Sequence, residues 1–132
     1  MYITKYNIDK FIRGTTMNCD DMGITHIDFI PDHIIELYCS YNNLTKLPDL
    51  PNRLKHLYCN NNRLTSLPKL PDSLEHLCCF KNSLTELPKL PESLLELYVN
   101  NNNLPYEITI DNYKEKHNKL IKRKEILKRI CT

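Results

Sequence analysis

The sequence predicts an α/β solenoid: one short strand per twenty-residue turn, stacked in parallel, an extended return limb and a helix at the C-terminal end. Three observations predict it. Leu37, Leu57, Leu77 and Leu97 recur every twenty residues, as do Leu44, Leu64, Leu84 and Leu104. Asn42, Asn62, Asn82 and Asn102 keep the same register. Paired prolines follow at a spacing of three, Pro48 and Pro51, Pro68 and Pro71, Pro88 and Pro91. The unit L-x-C-x-x-N-x-L-x-x-L-P-x-L-P-x-x-L-x-x is too short to bury its own leucines. A chain that repeats it gains a core only by stacking turn on turn.

Residues carrying this pattern resemble the leucine-rich repeat family, and the doubled L-P-x-L-P is similar to the short twenty-residue class of bacterial effector proteins. The resemblance covers roughly residues 17–108. It implies a short leucine-rich-repeat arc whose strands line a concave face, and a protein-binding role for that face. Some bacterial proteins with similar repeats also carry a ubiquitin-ligase domain with a catalytic cysteine. The segments outside the repeats here are too short to hold one, and Cys19-Asp20-Asp21 falls in a degraded repeat, so no activity carries over.

Residues 1–16 fit no repeat. Ile8, Phe11 and Ile12 have helical spacing, and Gly14-Thr15-Thr16 reads as a break, so the segment is expected to cover the first turn as a helix or hairpin. Residues 17–36 are a degraded repeat: Met17, Cys19, Ile24, Ile27, Ile30-Pro31 and Ile34 keep register with Leu37, Cys39, Leu44, Leu47, Leu50-Pro51 and Leu54. Terminal repeats are commonly atypical.

Within each full repeat a stretch such as His56-Leu57-Tyr58-Cys59-Asn60 alternates, which sends Leu57 and Cys59 inward and Tyr58 outward. Cys19, Cys39, Cys59, Cys79 and Val99 then form one inward column, with free cysteine acting as a small hydrophobe. The asparagines fall where the chain leaves the strand and must satisfy backbone groups at a turn. Prolines bar helix and interior strand from the return limb, and their spacing matches polyproline II. Beyond Leu104-Pro105 the pattern lapses. Tyr106–Ile110 alternates and could add a terminal strand or an extended segment. Asp111 or Asn112 could then cap a helix in 109–132 whose apolar stripe (Tyr113, His117, Leu120, Ile121, Leu127, Ile130, Cys131) covers the last repeat.

The 132 residues bound one small domain, and the net charge of +2 hides an asymmetry. Residues 113–132 hold eight Lys/Arg against Glu115 and Glu125, or +6, which leaves −4 for the rest. No window is long and apolar enough to span a bilayer, and the first residues lack the apolar run of an export signal. The repeat accounts for four of six cysteines, so a reducing, intracellular and cytoplasmic setting is expected rather than a disulfide framework.

The outward strand positions make three columns: Glu36, His56, His76 and Glu96; Tyr38, Tyr58, Cys78 and Tyr98; Ser40, Asn60, Phe80 and Asn100. Strands about 4.8 Å apart bring column neighbours into contact. Aromatic groups flanked by polar ones suit a protein partner, so Tyr38, Tyr58, Tyr98, Phe80, His56, His76, Glu36 and Glu96 are the expected contact surface. Cys78 is the one repeat cysteine expected to face solvent. With His56 and His76 it invites a zinc or thiolate reading, but parallel projection from a sheet works against convergence, and no oxyanion site can be named. A non-catalytic module with no cofactor and no metal is therefore expected. The alternative partner is nucleic acid or an anionic membrane at the basic helix.

Overall fold

A computed structural model describes residues 1–131. Five short parallel strands run at twenty-residue intervals: β3 (Thr16–Asn18), β5 (Glu36–Tyr38), β6 (His56–Tyr58), β7 (His76–Cys78) and β8 (Glu96–Tyr98). Their register is one repeat to the next, Met17 on Leu37, Leu37 on Leu57, Leu57 on Leu77 and Leu77 on Leu97. Alternation within each strand buries the leucine column completely up to Leu77 and nearly so at Leu97. Cys19, Cys39, Cys59 and Cys79 are fully buried behind it, with Val99 in the fifth place. Burial disfavours thiolate, so the Cys19 thiol is pushed up to about 12 and those of Cys39, Cys59 and Cys79 are also raised.

One asparagine per turn ties each repeat to the one before it. Asn62 donates from Nδ2 to the carbonyls of Cys39 and Cys59, at 2.9 and 3.1 Å, and its Oδ1 accepts from Leu44 N–H at 3.0 Å. Asn42, Asn82 and Asn102 repeat the arrangement in their own turns. Just before each asparagine, and before Met22 at the matching place in the degraded repeat, the backbone is left-handed, at Asp21, Tyr41, Asn61, Lys81 and Asn101. That conformation costs most L-residues about 1–2 kcal/mol, and asparagine or aspartate least. Tyr41 and Lys81 are the poorly matched types.

The return limb is irregular and carries one turn per repeat. The N–H of Ile34, Leu54, Leu74 and Leu94 donates to the carbonyl of Pro31, Pro51, Pro71 and Pro91 respectively. So the second proline of each pair opens a tight turn, and Leu47, Leu67, Leu70, Leu87 and Leu90 pack beneath it. Ser73 and Ser93 add hydroxyl bonds to carbonyls one repeat back.

The N-terminal segment embraces the first turn on both limbs. β1 (Tyr2–Ile3) pairs in parallel with β4 (His26–Ile27) on the return limb, a 3-10 helix spans Ile8–Phe11, and β2 (Ile12–Arg13) pairs antiparallel with β3. Ile12 therefore sits in a strand, outside the helix its spacing suggests. Gly14, at φ +60°, opens the two-residue loop between β2 and β3, a position that favours glycine.

At the other end Tyr106–Ile110 forms no strand, so β8 has a strand on one side only. One expectation is corrected there. The final helix covers the solenoid with its first turns alone. A π-helical segment, Tyr113–Asn118, buries Tyr113, His117 and Asn118, whereas α1 (Lys119–Cys131) buries no residue. Ile126, Leu127 and Ile130 are exposed, and Leu120 and Ile121 only partly covered. The wide π spacing lets three side chains reach one stretch of return limb. Tyr113 Oη donates to Pro91 O, Asn118 makes a two-way bond with the backbone of Leu90, and His117 Nε2 donates to Pro88 O while Tyr106 Oη lies 2.7 Å from its Nδ1. Asn112 precedes the segment, but its Oδ1 accepts from Thr109 N–H, not from a helical one. Among the described residues no helix is long and apolar enough to cross a membrane.

Urea unfolding should separate the two devices at the strand exits. Asn62→Ala strands one amide and exposes two carbonyls to poorer pairing, and is expected to destabilise by about 3 kcal/mol or more. Lys81→Asn, at a left-handed residue, should stabilise by about 0.5 kcal/mol. An Asn62→Ala chain as stable as wild type would refute the ladder's role.

Candidate functional site

The solvent face of the sheet is built by position rather than by any single motif. The first residue of each strand contributes one column, in which Glu36 pairs with His56, His56 with His76 and His76 with Glu96. The third residue contributes the next, in which Tyr38 pairs with Tyr58, Tyr58 with Cys78 and Cys78 with Tyr98. All eight expected contact residues fall on these strands or, for Phe80, just beyond β7.

Contacts run along the columns because the strands are parallel and in register. Tyr38 and Tyr58 stack with centroids 4.9 Å apart and planes 2° from parallel. His56 and His76 stack at 4.4 Å and 7°, and His56 also lies 6.4 Å from the Tyr58 ring. Tyr38 Oη donates to Glu36 Oε2 at 3.0 Å. His76 Nδ1 lies 3.2 Å from Glu96 Oε2. Partial burial raises the Tyr38 and Tyr58 hydroxyls above the usual phenol range; the Glu36 carboxylate adds to this at Tyr38, and Cys78 and Glu96 at Tyr58.

The aromatic column is interrupted. Cys78 stands where a third tyrosine would continue the stack, which leaves Tyr98 about half exposed (49 %) at the open end. Cys78 itself is 8 % exposed, so the expectation of a solvent-facing thiol is corrected: it is on the outward face, between Tyr58 and Tyr98, but buried. Burial first, and Glu96 second, push its thiol up. A raised thiol holds less thiolate at neutral pH, which works against a nucleophilic role.

In the third column Ser40 and Asn60 are committed to structure. Ser40 Oγ donates to Asn60 Oδ1 at 2.7 Å, and Asp20 accepts from Ser40 N–H at 2.7 Å. Burial raises the Asp20 carboxyl, partly offset by that bond.

One residue of the site escaped sequence reasoning. Glu75, immediately before β7, joins His56 and His76 so that one donor atom from each lies within 4.8 Å of the other two. The alternation rule assigned residue 75 to no outward column, and its equivalents Ile35, Lys55 and Leu95 share no chemistry with it. Only the adjacency of Glu75 to His76 could have drawn notice.

A family description of leucine-rich repeats, covering two copies, matches residues 32–72. No curated protein sequence matches the chain. Among solved structures, YopM, a leucine-rich effector protein from Yersinia pestis, is similar with a TM-score of 0.66 at 36 % identity. The match covers 74 % of this chain and 28 % of that one. Residues 32–72 thus match two leucine-rich repeats, and the chain resembles a bacterial effector of that kind. Such repeats generally mediate protein–protein interaction and are typically non-catalytic.

Thiol counting checks the corrected cysteine column. In native protein at neutral pH a disulfide-exchange reagent should titrate one cysteine rapidly, the exposed Cys131, and all six only after denaturation. A second rapid thiol that disappears in Cys78→Ser would contradict the burial of Cys78.

Proposed function

We propose that the chain is a non-catalytic protein-binding module that acts by occupancy through the outward face of its sheet. Tyr38, Tyr58, Tyr98 and Phe80 would supply contact area, and His56, His76, Glu36 and Glu96 would supply polar register. The observation that carries this is the stacked, partly exposed Tyr38–Tyr58 pair, continued across Cys78 by the half-exposed Tyr98. Packed tyrosines present a large surface whose rotamers are already fixed, so little further entropy is lost on binding. Parallel strands offer the same face to a partner at every step. The solenoid's similarity to a leucine-rich effector supports the same reading. We place the protein inside a cell, in the cytoplasm, a setting in which the buried free cysteines stay reduced.

A second reading has its own observation. The exposed length of α1 sets Lys122, Arg123 and Lys124 beside exposed Ile126, Leu127 and Ile130, a combination that fits an anionic membrane better than nucleic acid. Binding there would weaken with salt.

Affinity capture with wild type and a Tyr58→Ala/Tyr98→Ala double variant separates the readings. Each lost anchor should cost about 2 kcal/mol, so the double variant is expected to release partners that wild type retains while its circular dichroism shows the same fold. An identical retained set would count against the sheet face. Vesicle binding lost with residues 119–131 but indifferent to both tyrosines would favour the helix.

A further inference from the structure

The first positions of β6 and β7 carry imidazoles that face each other at 4.4 Å, and Glu75 brings a carboxylate to the same place. One donor atom from each of His56, Glu75 and His76 lies within 4.8 Å of the other two. A fourth group approaches from β8: Glu96 Oε2 is 3.2 Å from His76 Nδ1. That nitrogen is sealed from solvent and makes no hydrogen bond. The carboxylate is thus close enough for a bond but not aligned for one. Buried ring nitrogens are ordinarily paired, so a sealed Nδ1 with no hydrogen bond, 3.2 Å from one carboxylate and on a ring that also joins His56 and Glu75, calls for an explanation.

We propose that His56, Glu75, His76 and Glu96 form a binding site for one divalent transition-metal ion, with Zn2+ the best match to the donor set. Imidazole selects zinc and its late-transition neighbours over Mg2+ and Ca2+, which prefer all-oxygen shells. Two carboxylates balance the charge of a dication, so the partly buried site is neutral when filled. Zinc takes four ligands at about 2.0–2.2 Å, which sets donors about 3.3 Å apart in a tetrahedron. The 3.2 Å between His76 Nδ1 and Glu96 Oε2 already has that spacing.

His56, Glu75 and His76 already have donor atoms within 4.8 Å of one another, and Glu96, which approaches His76 but falls outside that group, would close in with them by side-chain rotation. The two rings are stacked in parallel, and each must turn so that its in-plane lone pair meets the ion. All four side chains stand on the half-exposed side of the sheet, clear of the leucine core, and Glu96 at 51 % exposure has room to swing. Cys78, although two residues from His76, lies in the neighbouring column. Parallel projection from a sheet keeps donors apart when every ligand comes from one column. Here Glu75 enters from before the strand, and that is what makes convergence possible.

The site needs no partner protein, so its test is independent of the binding reading above. Untagged protein, stripped with chelator, is titrated with ZnCl2 by calorimetry, and with Co2+ for its ligand-field absorption. One ion per chain is expected, with a four-coordinate Co2+ spectrum. His76→Gln and Glu75→Gln should each weaken binding at least tenfold, and Glu96→Gln by about 10–100-fold. Cys78→Ser should bind as wild type. Circular dichroism confirms that each variant is folded, and the exposed Glu96 gives a variant that leaves packing intact. Uptake without defined stoichiometry, uptake indifferent to His56→Gln/His76→Gln, or uptake abolished by Cys78→Ser would each overturn the site.

Discussion

A carboxamide that bonds two turns at once is the interaction on which this solenoid depends. Each ladder asparagine donates to carbonyls of its own repeat and the one before, and accepts an amide of the earlier repeat. No other side chain of that size offers two donors and an acceptor in one plane. Aspartate lacks the donors, and leucine would leave three buried backbone groups to be satisfied elsewhere. Because the same group sits at the same place in every turn, it also fixes the step between turns. The leucine column, the cysteine column and the outward aromatic column are in register for that reason.

The ends show what happens when the ladder runs out. Leu44, Leu64 and Leu84 each give their amide to the asparagine eighteen residues on, but the residue in that position for Leu104 is Lys122. Past that point the return limb lapses and β8 gains no further strand. Closure comes instead from the side, where Tyr113, His117 and Asn118 bond the backbone between Pro88 and Pro91. His117 donates through Nε2 to a carbonyl, so its Nδ1 is the acceptor for Tyr106 Oη. The N-terminal end is closed more fully, by strands on both limbs.

The repeated parts were legible in sequence because each expectation could be checked against its copies. A cysteine column ending in Val99 reads as core, and the structure buries it. Parts that occur once were less legible. The stripe from Leu120 to Cys131 has helical spacing, but spacing does not say what a helix packs against, and α1 extends beyond the last repeat with Ile130 exposed. Cys78 faces outward as alternation requires. It is nevertheless buried, and the residues paired with it are Tyr58 and Tyr98, so its exposure depends on the strands beside it and not on its own alternation. Glu75 was hidden for a third reason: the chain is still turning into β7 there, so period-two alternation has not begun. Register sets the sheet-face residues side by side along the strands, whereas the distances between their side chains depend on rotamers that the repeat pattern does not encode.

The ladder is tested most directly by amide hydrogen exchange at four equivalent leucines. The N–H groups of Leu44, Leu64 and Leu84, each held by an asparagine, should exchange only through opening of the repeat stack, and that of Leu104, which has no such acceptor, much faster. Exchange at Leu64 as fast as at Leu104 would contradict the claim that asparagine holds the turns together.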